Sequence, residues 1–276
     1  MNGKREAGNG KRRAMPLTAS ACVLAIAAGI VPSAAAAQGD FQWKGRVAAG
    51  KTVEIKGVNG GITALAGTGA EVEVTARKRG RDDDPDEVKI EVLEHEGGVT
   101  VCAVYPTGRR ARRENTCEVG DHWSSSTDDN DVSVDFTVRI PAGRHLNART
   151  VNGDVEATGL GGNVDAATVN GGVDVATTGW VEATTVNGSI RASMGRGDWQ
   201  GELEFQTVNG GITLQLPATL NTEVHASTVN GDLTSDYPLT VSGRWGPRQL
   251  RGTIGNGGRE LSLSTVNGGI RLRKTT

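Results

Sequence analysis

Polar and apolar residues alternate along most of the chain, and the alternation restarts after each of seven Asn-Gly pairs. Two residues after each glycine comes an apolar residue, and a polar one follows it. The apolar set is Ile62, Val155, Val173, Ile190, Ile212, Leu233 and Ile270, and the polar set is Thr63, Glu156, Asp174, Arg191, Thr213, Thr234 and Arg271. A period of two is typical of a strand with one buried face. The pattern therefore predicts one short strand after every Asn-Gly pair.

Six of the pairs belong to the tetrapeptide Thr-Val-Asn-Gly, and Val58-Asn59-Gly60 is a partial seventh copy. Asn-Gly is a strong turn signal because both residues tolerate positive φ. In a hairpin the pair would reverse the chain. In a stacked repeat it would form a corner, with the asparagines of successive units one above another: Asn59, Asn152, Asn170, Asn187, Asn209, Asn230 and Asn267.

The spacing of the tetrapeptides favours stacking. Their glycines follow one another at steps of 18, 17, 22 and 21 residues, and the last step is 37, close to two periods. A nearly fixed period with one motif per unit indicates units that bury their faces against neighbours. We predict an all-β, β-solenoid-like stack of short strands, with Ile254-Gly255-Asn256-Gly257 as a degenerate unit. A β-sandwich built from Asn-Gly hairpins is the alternative.

Strands are also predicted before the regular repeats, at 52–55, 70–76, 88–92, 98–104 and 132–141, and no stretch predicts an amphipathic helix. The region before residue 145 should cap one end of the stack. The segment 270–274 ends in Arg271, Arg273 and Lys274. We expect it to be the opposite edge strand, whose charges discourage further stacking.

The first 37 residues have the order of an export signal: a basic start, an apolar run over 17–31, and a small-residue cleavage site at Ala35–Ala37. The predicted organisation is therefore a signal peptide at 1–37, an N-terminal β region at 38–145 and a repeat solenoid at 146–276, continuous with that region. No second apolar stretch approaches membrane-spanning length. We expect no transmembrane segment after cleavage and a periplasmic, cell-surface or secreted location.

Composition narrows the possible partners. The 30 Lys and Arg and 32 Asp and Glu of the whole chain become 25 and 31 once the signal is removed, a net charge of −6. That balance argues against a nucleic-acid partner. Aromatic residues make up only 4% of the chain, whereas glycines number 40. A thin stack of short strands can be built with few large rings.

Two cysteines, Cys102 and Cys117, remain after signal removal. An even number in an exported chain favours a disulfide, which would close a loop that holds Arg109, Arg110, Arg112 and Arg113. A redox or metal pair is disfavoured because the spacing is not that of a Cys-x-x-Cys motif.

The order of these features resembles the adhesin-like bacterial DUF4097 family. A first Val-Asn-Gly-Gly-Ile unit at 58–62 precedes paired alternating strands, the segment Val138–Gly143 and then the Thr-Val-Asn-Gly units. The resemblance implies an exported β-solenoid-like domain of the cell envelope, without catalytic residues to carry over. The arginine-rich loop between the cysteines departs from the family pattern.

For each candidate metal or catalytic site in the sequence, a purely structural role is the favoured interpretation. Asp82, Asp83, Asp84 and Asp86, or Asp128, Asp129 and Asp131, could bind calcium, but solvated acidic loops are favoured because calcium-loop spacing is absent. His95-Glu96 lacks the second histidine of a zinc motif. Asp121, His122 and Ser124–Ser126 lack a nucleophile elbow, and Arg196-Gly197-Asp198 fits a surface turn. We therefore predict no catalytic residue, no cofactor and no metal.

The expected function is that of an exported, non-enzymatic envelope or adhesin-like binding or structural protein. Its contact surface would be the outward polar row of Glu156, Asp174, Arg191 and Arg271, and its partner a cell-envelope glycan or protein. Trp180, Trp199 and Trp245 could form a sugar platform or could fill the stack's edges. One alternative is a polysaccharide-active β-helix enzyme, although no paired carboxylates support it. Another is an envelope-stress sensor with a protein partner.

Overall fold

The computed structural model describes residues 40–108, 113–120, 125–127, 129–242 and 248–275. The predicted signal peptide, residues 1–37, lies outside them. The described residues contain one 3-10 turn at Pro85–Glu87 and no helix long and apolar enough to cross a membrane. The strands are β1 (Asp40–Gly45), β2 (Thr52–Lys56), β3 (Ile62–Gly67), β4 (Val72–Arg79), β5 (Lys89–His95), β6 (Gly98–Val104), β7 (Ser133–Pro141), β8 (His145–Arg149), β9 (Val155–Leu160), β10 (Val164–Ala167), β11 (Val173–Thr177), β12 (Val181–Thr184), β13 (Ile190–Met194), β14 (Glu202–Gln206), β15 (Ile212–Leu216), β16 (Thr222–Asn230), β17 (Leu233–Ser235), β18 (Thr240–Ser242), β19 (Arg248–Ile254), β20 (Arg259–Asn267) and β21 (Ile270–Lys274).

The strands form two sheets around one apolar core. Sheet A has the order β1-β4-β7-β3-β9-β11-β13-β15-β21-β17, and sheet B has the order β18-β19-β16-β20-β14-β12-β10-β8-β2-β6-β5. Along most repeat strands, buried and more exposed residues alternate, as in β11 and β13. The buried side chains of both sheets belong to one core cluster. The all-β prediction is confirmed.

Each repeat contributes one strand to each sheet, and we call this pair a rung. The chain runs from β8 in sheet B through Thr150–Gly153 to β9 in sheet A, and returns to sheet B as β10. Neighbouring rungs pair in parallel, with Val173 opposite both Val155 and Ile190. Two-residue hairpins produce antiparallel pairs, so the alternative of a sandwich built from Asn-Gly hairpins is wrong. The solenoid-like prediction is confirmed.

The spatial order of the rungs differs from the order of the sequence. Strand β21 lies between β15 and β17, and β20 lies between β14 and β16. The expectation that segment 270–274 forms the edge was therefore wrong, because its strand is paired on both sides and β17 lies outside it. The proposed degenerate rung at 254–257 was also wrong, because Ile254 ends β19 and the following residues turn into β20.

The N-terminal strands continue the same two sheets. Strand β3 pairs in parallel with β7 and β9, and β2 pairs in parallel with β6 and β8. Antiparallel strands then extend each sheet, with β4 and β1 beyond β7 and β5 beyond β6. Strands from both sides of residue 145 thus share each sheet.

Candidate functional site

The Thr-Val-Asn-Gly corner joins neighbouring rungs through its threonine. Each hydroxyl donates a hydrogen bond to the glycine carbonyl of an adjacent rung, as Thr185 does to Gly171 at 2.9 Å. The same contact at 2.8–2.9 Å recurs for Thr150, Thr168, Thr207, Thr228 and Thr265. These threonines are buried, at 5% exposure or less. The contact therefore satisfies a carbonyl that the stacking removes from solvent.

The corner glycine is required for close packing. A Cβ atom on Gly153, Gly171, Gly188, Gly210, Gly231 or Gly268 would lie 1.9–2.1 Å from a carbonyl oxygen of the next rung. Of the seven corner glycines, only Gly60 has a positive φ, at 119°. The explanation of the Asn-Gly pair as a positive-φ turn was therefore wrong for the six complete motifs. Rung spacing demands the glycine there.

The asparagines form a continuous ladder along the corner. In each step the Nδ2 atom of one asparagine donates to the Oδ1 atom of the next, at 2.8–2.9 Å. The spatial order is Asn59, Asn152, Asn170, Asn187, Asn209, Asn267 and Asn230. Stacked side-chain amides of this kind bond along a stack of parallel strands. The motif's polar groups thus satisfy one another, which points to architecture rather than chemistry.

Sheet A presents a row of charged and polar side chains on its outer side. Glu156, Asp174, Arg191, Thr213 and Arg271 occupy equivalent positions on β9, β11, β13, β15 and β21. We call the outer side of these strands the charged face. The carboxylates lie at one end of the row and the guanidinium groups towards the other.

The charges of this face are not paired with one another. Among the described residues, no ion pair involves the side chains of Glu156, Asp174, Arg191 or Arg271. Elsewhere in sheet A the register does pair charges. The ion pairs on β1, β4 and β7 are Lys44–Glu73 at 2.6 Å, Arg77–Asp40 at 3.8 Å, and Arg79–Asp135. Among the described residues, the row of Glu156, Asp174, Arg191 and Arg271 is thus left without such partners.

A shallow cavity marks the boundary between the acidic and basic halves of this face. Its volume is about 290 Å³, and Glu156, Asp174 and Arg191 line it together with Asp154 and Ser189. The Asp154 carboxylate accepts a hydrogen bond from the Gly172 N–H at 2.6 Å. The cavity can accept a charged side chain of either sign near its edge.

Sheet B brings together carboxylates that are far apart in the sequence. Asp165 is opposite Glu182, Glu202 is opposite Glu260, and Glu260 is opposite Glu223. Burial, followed by the nearby Asp165 and Glu204 carboxylates, raises the pKa of Glu182. The sequence did not predict this acidic group, because Glu260 lies between Glu202 and Glu223 only through the insertion of β20. The sequence did show that acidic residues occupy outward positions of several separate strands, and this pattern could have indicated an acidic surface.

A buried ion pair lies under the loop that carries Cys117. The Lys56 Nζ atom is 3.2 Å from Glu54 Oε1, and Lys56 is fully buried. Lys56 also donates to the Glu118 and Gly120 carbonyls at 2.5 Å, and Glu54 accepts from Thr100 at 2.7 Å. A disulfide joins Cys102 of β6 to Cys117 and holds this loop over β2. Arg109, Arg110 and Arg112 lie outside the described residues.

The two acidic stretches meet and bind backbone rather than each other's charges. The Asp131 carboxylate accepts hydrogen bonds from the N–H groups of Arg81, Asp82 and Asp83, and these bonds lower its pKa. Asp128 lies outside the described residues. Among the residues that the structure does describe, no group of three or more His, Cys, Asp and Glu is placed to hold a metal ion.

The remaining sequence candidates are dispersed. His95 bonds to Thr100 and to the Gly97 N–H, while Asp121, His122 and Ser124 lie outside the described residues. Arg196 pairs only loosely with Asp198, at 3.9 Å. Trp199 is 2% exposed and donates to the Glu260 carbonyl, so it fills an edge and offers no platform. Trp180 is partly buried against the core, and Trp245 is not among the described residues.

Known proteins resemble this chain at the level of family and fold. A family model described as Toastrack DUF4097 matches residues 120–273. The chain is similar to a Clostridium sporogenes structure named a putative cell adhesion protein, with 10% identity, a TM-score of 0.43, and 86% of this chain and 100% of that chain covered. It is also similar to a Bacteroides fragilis structure named a putative adhesin, with 13% identity, a TM-score of 0.38, and coverage of 87% and 98%. No curated protein matches.

Proposed function

The chain belongs to the Toastrack DUF4097 family, and on that premise we propose that it is an exported, non-enzymatic binding or structural protein of the cell envelope. Its contact surface is the charged face of sheet A. The observation that carries this proposal is the row of Glu156, Asp174, Arg191 and Arg271, whose exposed charges have no ion-pair partners within the described residues. Charges arranged in this way give a partner specificity and a fast approach.

Export is supported by two features of different kinds. The first is the order of basic, apolar and small residues in segment 1–37. The second is the Cys102–Cys117 disulfide, since disulfides persist in oxidising compartments. The partner is a glycan or a protein of the envelope that the chain would meet there.

The arrangement of side chains supports binding over catalysis. On the charged face, Glu156, Asp174, Arg191 and Arg271 form one row across the sheet, and each of them comes from a different strand. A surface that binds through several exposed ion pairs tolerates single changes, because each such pair contributes only about 0.2–1 kcal/mol. An enzyme, by contrast, loses most of its activity when one reacting carboxylate is removed.

One observation favours a second candidate, a polysaccharide-active enzyme. Glu202 and Glu260 are opposite each other on β14 and β20 and line a cavity of about 620 Å³. Most glycoside hydrolases use two neighbouring carboxyl groups as their catalytic residues. Release of reducing ends from an envelope polysaccharide, abolished by Glu260→Gln, would establish this candidate in place of a binding role.

The test is retention on envelope fractions. The purified chain would be mixed with peptidoglycan, polysaccharide, anionic vesicles and envelope protein extract. We expect saturable binding to one fraction. The combined variant Glu156→Gln, Asp174→Asn, Arg191→Gln and Arg271→Gln should weaken it at least tenfold, whereas each single change should weaken it less than threefold.

A matched variant on sheet B separates the charged face from a general effect of charge. It carries Glu202→Gln, Glu223→Gln and Arg251→Gln, which also remove exposed charges of both signs. This variant should bind like the wild type. Equal losses in the two variants, or undiminished binding by the charged-face variant, would contradict the proposal. A sensing role would show itself as capture of one protein from the extract without a glycan signal.

A further inference from the structure

We propose that the partner on the charged face is a second copy of the chain, docked face to face around a two-fold axis. This inference rests on the proposed function, because it names the partner of the same surface. Its basis is that the acidic and basic halves of one face are complementary to each other. A two-fold interface uses the same patch on both subunits, so such a patch must be complementary to itself.

The direction of the axis follows from the order of charges. Charge changes across the strands, from Glu156 on β9 and Asp174 on β11 to Arg191 on β13 and Arg271 on β21. An axis perpendicular to the strands would place acid on acid. An axis parallel to the strands reverses their order in the second copy and places its basic half over the acidic half of the first.

One register satisfies the charges of both copies. With the axis between β11 and β13, Asp174 lies opposite Arg191 of the second copy, and the reverse contact forms by symmetry. Glu156 then lies opposite β15 of the second copy, between its Arg191 and its Arg271, because β15 lies between β13 and β21. Each carboxylate of the row therefore meets at least one guanidinium group, which can bind it through two N–H groups.

The shape of the face allows this approach. The cavity of about 290 Å³ lies beside Asp174, where the side chain of Arg191 from the second copy would enter. The next outward row on β11 and β13 consists of the small residues Ala176 and Ser193. These two small residues leave room at the axis for the Asp174 and Arg191 side chains of the two copies.

The expected interface is small. The six strands from β3 to β21, three on each side of the axis, span about 29 Å across and about 17 Å along the strands, which gives roughly 500 Å² on each copy. The total of roughly 1,000 Å² is near the lower limit for a specific interface. Charge contributes much of the complementarity, so the dimer should be weak and sensitive to salt.

The rest of sheet A explains why this part is used. On β1, β4 and β7, register pairs charges of opposite sign within the chain, as in Lys44–Glu73 and Arg79–Asp135. These pairs leave little net charge pattern for a second copy to recognise. Only the charged face keeps the two signs in separate halves.

The experiment is sedimentation equilibrium on the full protein, purified after the cells have exported it. Wild type should dimerise at tens of micromolar in low salt, and its dissociation constant should rise at least tenfold in 0.5 M NaCl. The variant Arg191→Glu/Arg271→Glu/Arg273→Glu makes the face wholly acidic, because Arg273 is also exposed on β21, and Glu156→Arg/Asp174→Arg makes it wholly basic. Each variant alone should be monomeric, and an equimolar mixture should form a heterodimer.

The heterodimer is the decisive result, because variants that failed to fold could not give it. A sheet B control, Glu223→Arg, should dimerise like the wild type. The inference is overturned if wild type stays monomeric at 200 µM, if the mixture does not associate, or if the separate variants still dimerise. If the wild type is monomeric but still binds an envelope fraction through the charged face, only the dimer is refuted. The proposed function would then stand.

Discussion

The hydroxyl of Thr185 donates to the carbonyl of Gly171 at 2.9 Å, and this contact helps to join two neighbouring rungs at their corner. A Cβ atom on Gly188, in the same rung as Thr185, would lie 1.9 Å from the same carbonyl oxygen. The threonine and the glycine of one motif therefore serve the same carbonyl oxygen. The threonine donates a hydrogen bond to it, and the glycine leaves room for it because it has no side chain. This explains why the two residues recur together.

Substitution by alanine should destabilise the protein far more at Gly171 than at the adjacent Gly172. A Cβ on Gly171 would lie 2.0 Å from the Gly153 carbonyl oxygen, whereas a Cβ on Gly172 would meet its nearest atom, the Ser189 oxygen, at 3.4 Å. Gly171→Ala must push two rungs apart, and we expect a loss of about 3 kcal/mol or more. Gly172→Ala should change stability by less than about 1 kcal/mol. Urea unfolding of both variants measures the difference, and equal midpoints would refute the close-packing explanation.

Charging the middle of the amide ladder should weaken it in a pH-dependent way. Asn187 donates to Asn170 and accepts from Asn209, each at 2.8 Å. Asn187→Asp loses the donor at neutral pH and places a carboxylate against the Asn170 oxygen, so we expect a loss of about 1–2 kcal/mol. The protonated acid can donate again, so acidification should recover part of the loss.

The control for that substitution is the ladder's first member. Asn59 accepts from Asn152 at 2.8 Å but donates only weakly, to the Asn130 carbonyl at 3.5 Å. Asn59→Asp keeps the accepting oxygen and should cost less. Thermal unfolding at neutral and acidic pH compares the two. An Asn187→Asp loss that is no larger than the Asn59→Asp loss would show that the ladder bonds contribute little.

Removing one partner of the buried ion pair should be costly. Lys56→Met leaves the Glu54 carboxylate without its cation, and the Glu118 and Gly120 carbonyls without their donor. An uncompensated buried charge typically costs about 3–5 kcal/mol. The exposed pair Lys44–Glu73 provides the control, since Lys44→Met should leave the unfolding midpoint near that of the wild type. A small effect of Lys56→Met would mean that solvent reaches Glu54 readily.

The acidic group on sheet B should make stability fall as pH rises. The pKa of Glu182 is raised above 4.5, so the folded chain holds this proton in a pH range where the unfolded chain has released it. Its contribution is therefore present below the unfolded pKa and is lost as pH rises through the folded pKa. Glu182→Gln should flatten this part of the stability profile, whereas Gln206→Ala on the neighbouring strand should leave it unchanged. Denaturant unfolding between about pH 4 and 7 tests this.

The sequence predicted the repeating unit because the unit is encoded locally. Alternation after each Asn-Gly pair fixes which residues of a strand face the core, and β11 and β13 follow it residue by residue. The position of Asn152 above Asn59 also follows, since equivalent residues of parallel rungs must align. The role of the corner glycine did not follow, because the limiting atom belongs to another rung.

Which rungs are neighbours could not be predicted from local pattern. Thr207–Gly210, Thr228–Gly231 and Thr265–Gly268 have the same four residues, so any of them could stack on another. The hairpin of β18 and β19 occupies the outer edge of β16 in sheet B, and this leaves the inner edge of β16 to β20. The closeness of Glu260 to Glu202 and Glu223 depends on that choice.

The insertion of β20 and β21 makes the stacking of the preceding rung depend on the C-terminal strands. These strands come last among the described elements, yet they lie inside both sheets. Strands β16 and β17 therefore pair with the rest of the stack only through β20 and β21. A chain that stopped near residue 258 would lose an interior layer, and the rung of β16 and β17 would lose its neighbouring rung, although β19 would still cover the outer edge of β16. The inner edges of β14, β15, β16 and β17 would then expose unpaired N–H and C=O groups that can pair with another chain, whereas β20 and β21 cover these edges in the whole protein.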